Sequence, residues 1–215
     1  MEKKYEMLKD NALEYDGKAF YRIRALRFFN DVKIGDLGGY VENEENLSHE
    51  GNCWLYDNAR IFDNGYVGDN ATAHGHCSIM HDSKLYGNAK ISGKVTLLDH
   101  ASVFDNAEIF DKSAVFDYAK VYGDAKVSGG VCITNDTEIC LDAHIKSIKD
   151  YIIIQNIGSA LYPYTFFRLS DGDIGYACFK DNGSLDQFIK RNKNSKYSDE
   201  YSLMADLVKL RFSRV

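Results

Sequence analysis

The stretch Val103-Phe104-Asp105-Asn106-Ala107-Glu108-Ile109-Phe110-Asp111-Lys112-Ser113-Ala114-Val115 decides how this chain folds. An aliphatic residue returns at every sixth position, a small residue stands two before it, and Asp, Asn or Gly fills the interval. The same spacing runs outward in both directions from Cys53 to Ile145 without insertion or deletion. Its aliphatic positions are Ile61, Val67, Ala73, Ile79, Leu85, Ile91, Leu97, Val103, Ile109, Val115, Val121, Val127, Ile133, Ile139 and Ile145, and all but Ala73 are branched. Residues two apart share one face of an extended strand. Each hexad therefore reads as a very short strand with two inward side chains and a polar corner. Gly, Asp and Asn suit such corners because they accept positive φ or bond to their own backbone. A repeat of this kind is a solenoid, each unit burying its apolar face on its neighbours. A helix is excluded, since apolar residues two and six apart make no 3.6-residue stripe.

The hexads, Val67-Gly68-Asp69-Asn70-Ala71-Thr72 most closely, resemble those of left-handed parallel β-helix proteins. That resemblance implies three hexads per triangular coil of eighteen residues. The expectation is a mainly β chain: a β-helix of about five coils over residues 47–145, an N-terminal β cap over 1–46 and a small α+β unit over 146–215. In the first flank Ala19–Arg27 reads as a strand and Lys33–Val41 as a turn into the first coil. In the second, Tyr151–Gln155, Tyr164–Arg168 and Ile174–Phe179 read as strands. Ser184 caps a helix to Asn192, and Asp199–Arg211 reads as an amphipathic helix carrying Leu203, Met204, Leu207 and Leu210.

The whole chain also resembles a group of phage and prophage hexapeptide-repeat proteins. The resemblance lies in Phe20–Arg27, Gly35–Glu42, Asn46–Trp54, Tyr164–Arg168 and Cys178-Phe179. It brings no activity with it; it implies an interaction protein of the host cytoplasm that meets a host or phage protein, with inhibition of a host defence as its specific form.

Composition narrows the partners. Residues 47–145 hold 14 acids and 7 bases, residues 1–46 hold 10 and 8, and residues 146–215 hold 8 and 11, which sums to the net charge of −6. An acidic prism repels a phosphate backbone, so direct nucleic-acid binding is not expected. No apolar run approaches the ~20 residues of a membrane span, and the start lacks a signal-peptide core, so no membrane role is expected and the location is read as cytoplasmic. The five cysteines are odd in number and lack metal-type spacing; Cys53 and Cys77 fall in inward positions and are read as packing.

If residues eighteen apart stack, the outer surface can be read in columns. Phe62, Met80, Leu98 and Phe116 form an apolar strip, read as a homodimer interface. Tyr86, Phe104 and Tyr122, with Asp63, Asp99 and Asp117 on a neighbouring corner, form a candidate partner-binding surface. His81 and His100 lie among carboxylates and are weak metal candidates; a solvated acidic ridge is the competing reading. Asn70, Asn88 and Asn106 read as an amide ladder. No cofactor is expected for an interaction protein. Many hexapeptide-repeat proteins are acyltransferases, and that alternative implies acyl-CoA and a histidine base, with His74 and His76 the candidates.

Overall fold

A computed structural model describes residues 2–15, 17–159 and 162–214. The chain opens with an antiparallel hairpin, β1 (Tyr5–Tyr15) and β2 (Lys18–Ala25), then β3 (Leu37–Val41). Sixteen two-residue strands follow, one per hexad, from β4 (Trp54–Leu55) to β19 (His144–Ile145). The tail forms β20 (Tyr151–Ile154), β21 (Tyr164–Arg168), β22 (Ile174–Cys178), β23 (Asp181–Ser184), α1 (Leu185–Asn192) and α2 (Ser198–Ser213).

The repeat strands pair in parallel at a spacing of eighteen residues, as in Ile79↔Leu97↔Val115↔Ile133 and Val67↔Leu85↔Val103↔Val121. Three parallel stacks result, one for each side of a triangular prism. Every aliphatic position from Ile61 to Ile145 is fully buried. So are Cys53 and Cys77, in keeping with a packing role. Two polar residues at small positions satisfy themselves locally, the Ser83 hydroxyl donating to Met80 O at 2.7 Å and that of Thr137 to Thr134 O at 2.6 Å, whereas the buried Ser113 hydroxyl has no partner among the described residues.

The prism has six turns rather than about five. Val41 pairs with Ile61 and Leu47 bridges Val67, so both belong to an additional first coil closed by Leu55. These two pairs are twenty residues apart. The excess of two lies between Leu47 and Leu55, where Gly51 has φ +61° and a Cβ would stand 2.1 Å from Asp69 O. The hexad period breaks at that point, which hides the first coil from a search for sixes. Leu37–Val41 is accordingly a strand of the first side, not a turn; Gly39 permits it, since a Cβ there would lie 2.2 Å from Ala59 O.

Both ends of the prism are closed. At the start, Trp54 is buried beneath Tyr5 and Phe29, and β1–β2 extend the first side in antiparallel fashion. At the other end β20–β23 form a sheet with two apolar faces. Phe167 and Ala177 join the prism core, while Phe166 and Tyr176 pack with Phe188, Tyr201, Met204 and Val208 of the helices. Capping of α1 follows the sequence reading: the Ser184 side chain accepts from Gln187 N, and Gln187 answers to Ser184 N. The strand Asp181–Ser184 was not expected.

The outward face of α2 departs from expectation. Tyr201, Met204, Ala205, Val208 and Phe212 are buried, whereas Leu203, Leu207 and Leu210 are 71, 50 and 48 % exposed. The helix carries apolar residues on two stripes. The stripe bearing Tyr201 and Phe212 is the one that meets the aromatic cluster of the sheet.

Candidate functional site

Each corner of the prism begins with a left-handed residue: Asp57, Asp63, Asp69, His81, Asp99, Asp105, Asp111 and Asp117 all have φ between 54 and 66°. An aspartate there accepts a hydrogen bond from the backbone N–H one coil later. Asp57 does so from Gly75, Asp69 from Gly87, Asp105 from Gly123 and Asp111 from Gly129, at 2.9 to 3.2 Å. Asp63, Asp99 and Asp117 belong to this scheme. Asp63 bonds Lys18 and His81 N, Asp99 bonds the His81 ring and Asp117 N, and Asp117 bonds Thr134 and Asn135 N. The Lys18 ammonium holds the Asp63 carboxyl below its ordinary range, as the Thr134 hydroxyl does for Asp117. Asn52, Asn70, Asn88 and Asn106 form a directional amide chain, each Nδ2 donating to the next Oδ1, and Asp124 is its final acceptor.

The aromatic column stands as expected: Tyr86 stacks on Phe104 at 5.0 Å and Phe104 on Tyr122 at 4.9 Å, nearly coplanar. The apolar strip is shortened from both ends. Phe20 meets the edge of Phe62 at 5.3 Å with Lys18 over the same ring, and Tyr151 Oη donates to Cys132 O at 3.0 Å. Met80, Leu98 and Phe116 remain half-buried between these covers. His74 lies flat on Tyr56 at 4.1 Å, and burial pulls its pKa down; His76 is exposed at a corner.

One corner column carries more chemistry than the rest. Read at eighteen-residue steps it is Asn64, Asp82, His100, Tyr118 and Asp136. Asn64 Nδ2 donates to Asp82 Oδ1 at 3.0 Å, and Asp82 Oδ2 stands 3.7 Å from His100 Nδ1. The His100 ring rests on Tyr118 at 4.7 Å and 16°. The 3.7 Å between Asp82 and His100 is ion-pair range, beyond hydrogen-bond reach; a closer approach of Asp82 would place the ring proton on Nδ1 and leave Nε2 as the acceptor. Across from this column the C-terminal unit contributes Tyr162, Pro163 and Phe179, with Tyr162 stacked on Phe179 at 4.3 Å.

His100, Tyr118 and Asp136 of the column and these three residues line a cleft of about 200 Å³ whose remaining walls are Lys120 and Glu138. Lys120 and Glu138 pair at 3.0 Å, and Tyr122 Oη lies 3.3 Å from the same carboxylate. Three exposed aromatics converge here: Tyr118 is 59 % exposed, Tyr162 and Phe179 each 47 %. Phe179 also holds φ +57°, a conformation that costs a bulky residue roughly 1–3 kcal/mol and that clusters at working sites.

His100 is a candidate from sequence, as a weak metal ligand among carboxylates, and Tyr118 and Asp136 belong to the same eighteen-residue column. Tyr162, Pro163 and Phe179 carry no such periodic signal. Among the described residues no group of three or more His, Cys, Asp or Glu side chains is placed to hold a metal ion; His81 and His100 each meet one carboxylate.

The fold, the hexads and their eighteen-residue register define a hexapeptide-repeat β-helix protein. No family model matches the chain. It is 50 % identical over 36 residues to a protein of Escherichia coli (strain K12) described as "Uncharacterized acetyltransferase YdcK". The match covers 17 % of this chain and 11 % of that protein, so the chain spans about a tenth of its relative's length. Thirty-six residues are the length of two coils.

Proposed function

We propose that this chain is a hexapeptide-repeat acyltransferase that moves an acyl group from acyl-CoA to a small acceptor in the cleft at His100. The observation that carries the reading is His100 in a cleft between two structural units, with Asp82 and Asn64 behind it in the same column. The likeness to an acetyltransferase supports it over a purely structural role. His100 Nε2 takes the proton of an acceptor amine or hydroxyl as that group attacks the thioester carbonyl; the C–S bond then breaks and the imidazolium returns the proton to the departing CoA thiolate. Asp82, held by Asn64, keeps the imidazole in orientation and stabilises the imidazolium that forms. The volume admits an acceptor of modest size, and the bulk of a CoA donor lies outside it. This reading prefers His100 to His74 because His100 lines the cleft and has the Asp82 carboxylate on its Nδ1 side, whereas His74 lines neither this cleft nor its rim.

The test is release of CoA thiol from acetyl-CoA by the full chain across a panel of amine and hydroxyl acceptors. His100→Ala is expected to lower the rate by roughly 10²- to 10⁴-fold, the range of general-base catalysis. Equal rates for wild type and His100→Ala with every acceptor would sink it.

A second reading, a protein-binding surface, is favoured by the coplanar Tyr86–Phe104–Tyr122 ladder. It gains if acyl transfer is absent and a partner is retained by wild type but not by Phe104→Glu.

A further inference from the structure

Lys4, just before β1, is fully buried, and so is Cys53 of the first coil. The Lys4 amine donates to Glu50 O at 3.2 Å and to Cys53 O at 2.9 Å, and it lies 3.1 Å from Cys53 Sγ. Among the described residues no carboxylate pairs with it, although seven other Lys and Arg side chains do find one. An ammonium in that position would be a buried charge without a counter-ion. As placed, the amine donates to both carbonyls and to Cys53 Sγ; once neutral, its two N–H groups serve the two carbonyls and the third contact, at 3.1 Å, is the one its lone pair makes with the sulfur. Burial, which pulls the lysine pKa down, works in the same direction.

We infer that Lys4 and Cys53 form an oxidative lysine–cysteine cross-link, a sulfenamide that ties the N-terminal strand to the first coil. Hydrogen peroxide is the oxidant. Cys53 S–H and one peroxide give the sulfenic acid and one water. The Lys4 nitrogen then attacks the sulfur, the S–O bond breaks, and the departing hydroxide leaves as water with the proton lost from nitrogen. The amine is oxidised at no other atom: one peroxide and two hydrogens are consumed for one S–N bond and two waters. The starting separation of 3.1 Å is a near-attack distance. A second thiol reverses the reaction, two equivalents regenerating amine and thiol and ending as a disulfide.

Access is short. Ser48 O and Glu50 O lie 3.4 and 3.8 Å from Cys53 Sγ, and both residues line an open groove on the surface with His49. The other cysteines have no lysine amine bonded to sulfur among the described residues, which makes the prediction specific to one site.

The experiment treats the full chain with dilute hydrogen peroxide and measures intact mass and tryptic peptides. The expected product has lost two hydrogens, joins a peptide containing Lys4 to one containing Cys53, and resists trypsin after Lys4. Dithiothreitol restores both peptides, and the unfolding midpoint, raised by the link, falls back. In Lys4→Arg, or in Lys4→Gln should the first variant fold poorly, the sulfenic acid has no amine to trap it, and dimedone labels Cys53. Recovery of Cys53 as a free thiol or as a sulfinic or sulfonic acid in the wild type, with Lys4 still cleaved, would overturn the inference. A link that retains an added oxygen would overturn the direct S–N bond.

Discussion

At the corners, one aspartate does two things at once. It adopts the left-handed conformation, which disfavours most L-residues by roughly 1–2 kcal/mol, and its carboxylate accepts the N–H of the next coil. Asp105→Ala removes the acceptor and keeps the unfavourable φ, so a loss of about 1–2 kcal/mol is expected in urea unfolding. Asp105→Asn, which tolerates the same φ and still accepts, should lose less than half of that. His74 supplies a pH signature. Its folded-state pKa lies below the ordinary histidine value because burial on Tyr56 disfavours the charged ring. The unfolded chain therefore binds the proton more readily, and stability is full above about pH 6.5 and declines as pH falls from there towards the lower folded value. His74→Phe, which preserves stacking, should flatten that part of a denaturation profile taken between pH 7 and pH 5.

At the scale of elements, the two apolar stripes of α2 make opposite predictions. Lys substituted together at Leu203 and Leu207, both exposed, should shift stability within about 0.5 kcal/mol. Val208→Lys buries a charge against Phe188 and its neighbours and should unfold the C-terminal unit, read as loss of helical circular dichroism. The stripe could not be chosen from spacing, since both stripes have helical period. The choice came from the sheet: Phe166 and Tyr176 face the helices while Phe167 and Ala177 face the prism. By contrast, α1 was legible to its cap because Ser184 and Gln187 stand three apart, and a capping box is a local interaction.

At the scale of the whole molecule, the ends of the first side are occupied by Phe20 over Phe62 and by Tyr151 at Cys132. What is left for a second copy is the strip of Met80, Leu98 and Phe116. We expect a two-fold dimer through it, read by light scattering after size exclusion, with Leu98→Glu shifting the mass to the monomer; a trimer or a monomeric wild type would exclude this surface. The cleft at His100 is also a whole-molecule feature, because its walls come from the corner after β11 and from the turns flanking β21 and β22.

The amino-acid order by itself determined a solenoid, with inward residues two apart and aspartates and glycines at corners, because those contacts repeat locally; with the three-hexad coil that the resemblance to left-handed β-helices implies, it also set side-chain columns at a fixed step. It even carried Asp82, His100 and Tyr118 to one line, since adjacent coils stack in register. Only the tertiary structure decided the sixth turn, the buried stripe of α2 and the meeting of Tyr118 with Tyr162 and Phe179. The physical reason is range. A period can announce neighbours that recur every coil, but a cap docked once, by burial of Phe167 and Ala177 against the last coil, leaves no periodic trace.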